Sequence, residues 1–488
     1  MVQAGMTATA EIPESTGEAP PPPPTTLVRW LIVVMLVCGT CALVGLPARA
    51  TYGARTTADE PQYLLSALSL AEDADLDISD EIAERSYLPF HRIPIERQTR
   101  PLDQTGRQIS PHDPLLPLLL AGPMALGGWV AAKAALALLA AATAMLAAWI
   151  AVRRFGVGAA TAGMVTVACF GGLPLAGYAT QIYPEMPAAF ALCAAVALVT
   201  APSWRSHRIE PGRVAGSTAA VLGSAAAITV LPWMSIKYLP VAFVAGLGLL
   251  WRLRKRRVAL ALVVGLGATA GVLFLVAHQW IYGGWTAYAS SDHFADTGEF
   301  SVVGTQVNVL GRARRLPGLL VDRGFGLVAW SPVWLLLVPS VGAALRRARR
   351  REVFLVALVG AAWLNATFVA LTMHGWWVPG RQLVVALPLA AVLLAVWADR
   401  VPRRLWLAAA LGAVGIVNWV WLAIEASSGR RTLVVDFFET AAPGFRLIRP
   451  ILPDGIRSGP ADMALLGSWT VIIAAAAFAG WHKADTGA

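Results

Sequence analysis

Runs of about 20 apolar residues recur along nearly the whole chain, and that one feature leaves few folds open. About 20 such residues are what a helix needs to cross a bilayer, where every backbone N–H and C=O must be satisfied within the protein. The chain is 57% hydrophobic and only 14% charged, whereas a soluble domain carries about a quarter charged residues. The reading is therefore an all-α polytopic membrane protein. A formal charge of +10 would suit nucleic acid. The basic residues, however, fall in short clusters between apolar runs: Arg153–Arg154, R-L-R-K-R-R at 252–257 and R-R-A-R-R-R at 346–351. That is the positive-inside pattern, and it argues against a nucleic-acid partner. Placing the clusters in the cytoplasm predicts about 12 transmembrane helices with both termini inside.

The organisation follows from the same pattern. Residues 1–26, with E-A-P-P-P-P-P-T-T, hold little that could pack and read as a disordered cytoplasmic tail. The first span, Leu27 to Leu46, reads as a signal anchor. Residues 27–482 form the membrane-embedded domain and 483–488 a short cytoplasmic tail. Within the domain, 47–114 is a long polar first extracytoplasmic loop, and loops of that length tend to be functional. Leu115 to Gly128, interrupted by Pro117 and Pro123, reads as too broken to span and so as re-entrant or interfacial. Cys38, Cys41, Cys169 and Cys193 all lie in apolar segments and behave as small apolar side chains.

The long loop opens with T-A-D-E-P-Q-Y, Thr57 to Tyr63. Asp59 can cap the helix that follows, with Pro61 in its first turn. That helix, Gln62 to Glu72, carries Tyr63, Leu64, Leu65, Leu68 and Leu70 and is expected to lie on the membrane surface. The acids would then sit on the water side, beside lipid. The 73–81 acidic run reads as a solvated face. The span register also brings His112, Glu185, Lys237, Arg323 and the H-G-W-W-V-P-G-R turn at 374–381 to the outer face. No P-loop, dinucleotide fingerprint, H-E-x-x-H or G-x-S-x-G is present.

These residue types suit sugar transfer from a polyprenyl phosphate. The leaving group is already good, so the reaction needs a carboxylate to take the acceptor proton and cations to hold the developing phosphate charge. Asp59 fits the first role, with Glu60 beside it. Arg381, Lys237 and Arg323 fit the second, Arg being the natural phosphate fork. Tyr63, His112, Tyr183, Glu185, His374 and Trp377 complete the candidates for donor or acceptor binding. Each has a plainer alternative. Asp59 could serve only as a cap, Arg381 as a snorkelling interfacial residue, and Glu185 as half of a buried pair with an arginine. A divalent cation, Mg or Mn, at Asp59–Glu60 is conceivable, although two adjacent acids are a poor ligand set on their own. The rival class is a secondary transporter or a flippase-like partner in envelope assembly, since 12 spans with both ends inside occur there too.

An acidic pair just after the first span resembles the signature of the GT-C superfamily of membrane glycosyltransferases, here as D-E-P at 59–61. The ordered pieces D-E-P-Q-Y-L-L at 59–65, H-D-P-L-L-P at 112–117, Y-P-E at 183–185, L-P-W-M at 231–234, D-R-G-F-G-L at 322–327 and W-V-P-G-R-Q at 377–382 are similar to an actinobacterial and bacterial branch of that family. The resemblance covers roughly residues 27–400. It implies a GT-C-like fold, an inverting transfer with Asp59 as base, and a second outer-loop acid at Glu185. It further implies an arabinosyl or mannosyl donor on a polyprenyl phosphate, and an envelope glycan, glycolipid or exported protein as acceptor. Two positions depart from the pattern: Lys237 stands where an Arg is expected, and residues 425–488 lack a large carbohydrate-binding module.

Overall fold

The computed structural model describes residues 24–201, 213–305 and 308–483. Most of the expected N-terminal tail, Arg205, Arg208 and residues 484–488 lie outside them. The described residues are helical, with four isolated β-bridges and no longer strand. Thirteen helices carry the architecture: α1 (Pro24–Leu43), α2 (Glu60–Glu72), α3 (Leu115–Phe155), α4 (Ala159–Phe170), α5 (Glu185–Val199), α6 (Arg213–Met234), α7 (Leu239–Leu253), α8 (Arg257–Tyr282), α9 (Leu337–Arg347), α10 (Arg350–Leu364), α11 (Leu387–Ala398), α12 (Pro402–Ser427) and α13 (Pro460–His482). Seven helical segments among the described residues are long and apolar enough to cross a membrane, and four shorter apolar helices of 10–17 residues accompany them.

The helices sort by what surrounds them. α5 and α11 are buried almost throughout. α8 and α13 instead expose Val272, Leu273 and Val276, and Val471, Ile472 and Phe478. An apolar face left open along a whole helix requires an apolar solvent. Where helices meet closely, small residues permit it: Gly342 on α9 faces the backbone of Ala477 on α13, and Gly480 faces that of Pro339. This is how helices associate in lipid, where apolar burial alone does not favour contact between them.

Leu115–Gly128 forms a helical piece of its own, set off from the rest of α3 by non-helical backbone at Gly127 and Gly128, where φ is −163° and +62°. Pro117 sits in the first turn, where its missing N–H costs nothing. The break falls instead at Gly128, in a backbone region that only glycine adopts readily. One expectation is corrected, that for α2. It does not lie on the membrane surface but packs against α3, with Gln62, Tyr63, Leu64, Leu65, Ser66, Ala67 and Ser69 buried. Polar and apolar positions are covered alike, so no face is left for lipid.

Candidate active site

Asp59 precedes α2 but does not cap it. Its side chain makes no hydrogen bond to the helix N-terminus. It faces Arg381 instead, whose Nη2 donates to Asp59 Oδ2 at 2.8 Å. The Nε of the same guanidinium donates to Glu185 Oε1 at 2.9 Å, and Lys237 Nζ reaches that oxygen at 2.7 Å. Two carboxylates and two cations thus form one chain, Asp59–Arg381–Glu185–Lys237, drawn from four distant parts of the sequence. The guanidinium lies over the Tyr183 ring at 3.9 Å and near Trp377 at 5.2 Å. Stacking of this kind fixes an arginine's plane in a way that a lysine would not reproduce.

Local sequence explains the placement. Gly380 holds φ +83° just before Arg381, and a Cβ there would come within 2.9 Å of Pro174. The turn is pinned by Tyr178, whose hydroxyl donates to the Val378 carbonyl at 2.8 Å. Glu185 is the first residue of α5, 1% exposed. The alternative noted for it, a buried pair with an arginine, is what the structure shows.

Glu60 departs from expectation. It does not join Asp59 at the water side. Its Oε1 accepts from Ile182 N at 2.7 Å and its Oε2 from Thr57 N at 2.9 Å, and it is fully buried. Burial raises its carboxyl above the usual range, opposed by the charge of Lys133 and these N–H groups. The adjacent acids therefore point to different partners and do not present a shared ligand set for a divalent cation. Lys133, within α3 and fully buried, donates to the Arg55 carbonyl at 2.7 Å.

A cavity of about 150 Å³ opens beside this cluster, lined by Asp59, Tyr63, Gln98, His112, Asp113, Ser235, Lys237 and Arg381 among others. The side chains of Asp59 and Lys237 remain 24% and 23% exposed, whereas those of Arg381 and Glu185 are 9% and 1%. One acid and one cation therefore face the cavity, and the other two hold them. Burial alone would raise the Asp59 carboxyl. The Arg381 guanidinium, with further positive charge nearby, outweighs it and holds the group down at about 2. His112 stacks on Tyr63 at 4.4 Å between ring centres, and its Nε2 donates to Gln98 Oε1 at 3.2 Å. Burial pushes its imidazole down to about 4, against the pull of Asp59. His112 is thus neutral near pH 7.

Behind His112 stands a pair the sequence reading did not name: Asp113 Oδ1 and His278 Nε2, 2.9 Å apart and both buried. A histidine inside the apolar run of α8 was the available signal, since an ionisable residue at that depth needs a partner. Asp113 Oδ2 also accepts from Ile236 N at 3.3 Å. Ile236 in turn lines an apolar groove of about 750 Å³ with Trp233, Leu239, Gly271, Phe274 and Leu275. The groove and the polar cavity therefore share a wall.

Arg323 and His374 do not join the Asp59 cluster. Arg323 pairs with Asp462 at 3.3 Å and with Asp454 at 3.8 Å, and His374 lies 3.5 Å from Asp322. Both line separate cavities toward the C-terminal segment. Of the remaining candidates, Tyr63, His112, Tyr183, Lys237, Trp377 and Arg381 converge with Asp59 and Glu185. Trp377 and Tyr183 do so as supports of the guanidinium, outside the cavity lining.

The backbone arrangement has a solved counterpart: ArnT from Cupriavidus metallidurans bound to undecaprenyl phosphate, at a TM-score of 0.51 and 14% identity, over 95% of this chain and 77% of that one. The chain has an ArnT-like fold. This agrees with the all-helical membrane fold that the sequence reading expected. The apo form of ArnT from the same organism also matches, at a TM-score of 0.48 and 15% identity, over 91% and 78% of the two chains. No protein-family model matches the sequence, and no curated protein matches it significantly. The ArnT-like architecture therefore rests on the tertiary structure rather than on sequence similarity.

Proposed function

We propose that this protein transfers a sugar from a polyprenyl-phosphate donor to an acceptor hydroxyl, with inversion, at the extracytoplasmic end of the helix bundle. The observation that carries the reading is the adjacency of an apolar groove, lined by Ile236 and Phe274, to a polar cavity holding Asp59, Lys237 and Arg381, the two linked through Ile236 N and Asp113 Oδ2. A prenyl chain suits the first and a sugar phosphate the second. The ArnT structure with undecaprenyl phosphate supports the lipid class of the donor.

The resting ion pair sets the chemistry. A carboxylate at about 2 is a weak base, and proton transfer works best with a pKa near the working pH. A donor phosphate arriving at Lys237 and the Arg381 guanidinium would draw those cations away from Asp59, and the carboxyl would then rise toward a useful range. The acceptor oxygen attacks the anomeric carbon, the bond from that carbon to the phosphate oxygen breaks, and the electron pair leaves with the polyprenyl phosphate. The acceptor proton passes to Asp59. Glu185 touches neither reactant and is a positioning residue for both cations. The donor is a pentose or hexose such as arabinose or mannose, and the acceptor an envelope glycan, glycolipid or exported protein.

The decisive experiment supplies labelled polyprenyl-phosphate sugars to purified protein in proteoliposomes and follows transfer. Label appearing in a glycan product, and absent with Asp59→Asn, supports the proposal. Uptake of labelled solute without any glycosylated product would favour the transporter instead. Loss of a specific envelope glycan in a deletion strain would identify the acceptor.

A further inference from the structure

A second cavity, of about 430 Å³, shares no lining residue with the Asp59 cavity. Its polar lining consists of Arg49, Arg55 and Arg92, and no acid among the described residues faces it. Each arginine is held by backbone contacts. Arg55 N donates to the Phe90 carbonyl at 2.9 Å and Arg92 N to the Gly53 carbonyl at 3.1 Å, across a bridge between Ala54 and His91. Gly53 takes φ +84° to allow that turn. Arg49 is tied to the C-terminal half: its N donates to the Ala426 carbonyl at 3.2 Å, and its carbonyl accepts from Leu433 N at 3.0 Å. Two segments thus deliver three like charges to one cavity, Arg49 and Arg55 half-buried and Arg92 exposed.

No counter-charge compensates them. Among the described residues none of the three side chains makes an ion pair, and Arg55 Nη1 is buried without a hydrogen-bond partner. A buried guanidinium donor left unpaired costs about 1–3 kcal/mol or more, and the mutual repulsion adds to that. Burial and the charges of Arg49 and Arg92 push Arg55 below the usual arginine range. The remaining wall is apolar and runs into an exposed apolar edge: Trp129 and Val130 begin the second part of α3, and Leu126, just before the break, is 89% exposed.

We propose that Arg49, Arg55 and Arg92 form a second phosphate site that takes the headgroup phosphate of an anionic membrane lipid, separate from the donor cavity at Asp59. A phosphate monoester offers three acceptor oxygens to three guanidinium forks. The Trp129–Val130 edge accepts the acyl chains. The site would anchor a phospholipid next to the first loop.

The test compares a short-chain phosphatidic acid with the diacylglycerol of the same chains, which differs only in lacking the phosphate, on full-length protein in uncharged detergent. Native mass spectrometry counts bound lipid and thermal unfolding reports stabilisation. Wild type should retain phosphatidic acid but not diacylglycerol and should melt higher in its presence. The Arg49→Gln/Arg92→Gln variant should lose retention by on the order of tenfold or more. Without lipid it should melt no lower than wild type, because repulsion has been removed. Lys237→Gln, which weakens the donor cavity, should keep the response, so this site and the proposed transferase site can fail independently. Equal retention in the double arginine variant, loss of the response in Lys237→Gln, or equal stabilisation by inorganic phosphate alone would each overturn the lipid site.

Discussion

Arg381 Nη2 lies 2.8 Å from Asp59 Oδ2, although 322 residues of chain separate them. Both cations of the site are partnered in the resting protein. Arg381 donates to Asp59 and Glu185, while Lys237 spends one of its three donors on Glu185. The arrangement holds an ionised Asp59 at the cavity wall and leaves Lys237 donors free for an incoming phosphate. It also makes the proposed base sensitive to whatever occupies the cations.

Asp59→Asn keeps the shape and removes the base. Sugar transfer should fall ~10²–10⁴-fold with the helix bundle intact. Parallel measurement of transfer rate and of melting separates catalysis from folding. Wild-type turnover in this variant would show that another group accepts the proton.

Arg381→Met leaves Glu185 with Lys237 alone and Asp59 unpaired. Breaking a buried pair by removing one partner costs about 3–5 kcal/mol, so the variant should melt markedly lower. Adding Asp59→Asn should recover part of that loss, because the uncompensated charge disappears while Glu185 keeps Lys237. A double-mutant cycle on thermal stability checks the coupling. Purely additive effects would contradict the Arg381–Asp59 contact.

Gly380→Ala tests how the guanidinium is aimed. A side chain at φ +83° costs roughly 1–2 kcal/mol, and the new Cβ meets Pro174 within 2.9 Å. The turn must shift, and Arg381 with it. Transfer should drop by more than the melting change alone would explain, and the lost rate should appear in kcat.

Acid should destabilise the fold through His112. Its imidazole is held down at about 4 in the native protein, against about 6.5 in an unfolded chain. Between those values the unfolded state binds the extra proton, so stability falls as pH drops from about 6.5 to about 4. His112→Gln should flatten that part of the melting profile. The Asp59 pair behaves differently: its carboxyl is depressed, so its contribution is fully present above about 3.9 and is lost only as pH falls toward 2. An unchanged acid slope in His112→Gln would place the sensitive group elsewhere.

Much of the site was legible because a few residue types in odd places stand out. A carboxylate between prolines at the mouth of an apolar run, Glu185, must find a partner, and an arginine at a glycine turn, Arg381, must have a reason to be there. What misled was adjacency. Asp59 and Glu60 are neighbours, yet the helical turn sends one carboxylate to the cavity and the other to the backbone of Ile182. Arg323 and His374 have the right chemistry in the wrong place, because their segments are tied to Asp454, Asp462 and Asp322 instead. His278 was hidden inside a run that read as uniformly apolar.

Composition and the recurrence of apolar segments alone determined that this chain is a helical membrane protein, since a bilayer admits no other way to satisfy so much backbone in segments of that length. Residue chemistry further singled out Asp59, Glu185, Lys237 and Arg381 one at a time. Only the tertiary structure decided that these four share one ionic chain, that α2 is buried rather than spread on the surface, and that Arg49, Arg55 and Arg92 converge without an acid. The reason is physical. Periodicity reports which face of a helix avoids water, whereas the meeting of charges depends on how helices far apart in sequence cross, and that is set by packing of small residues that no local pattern encodes.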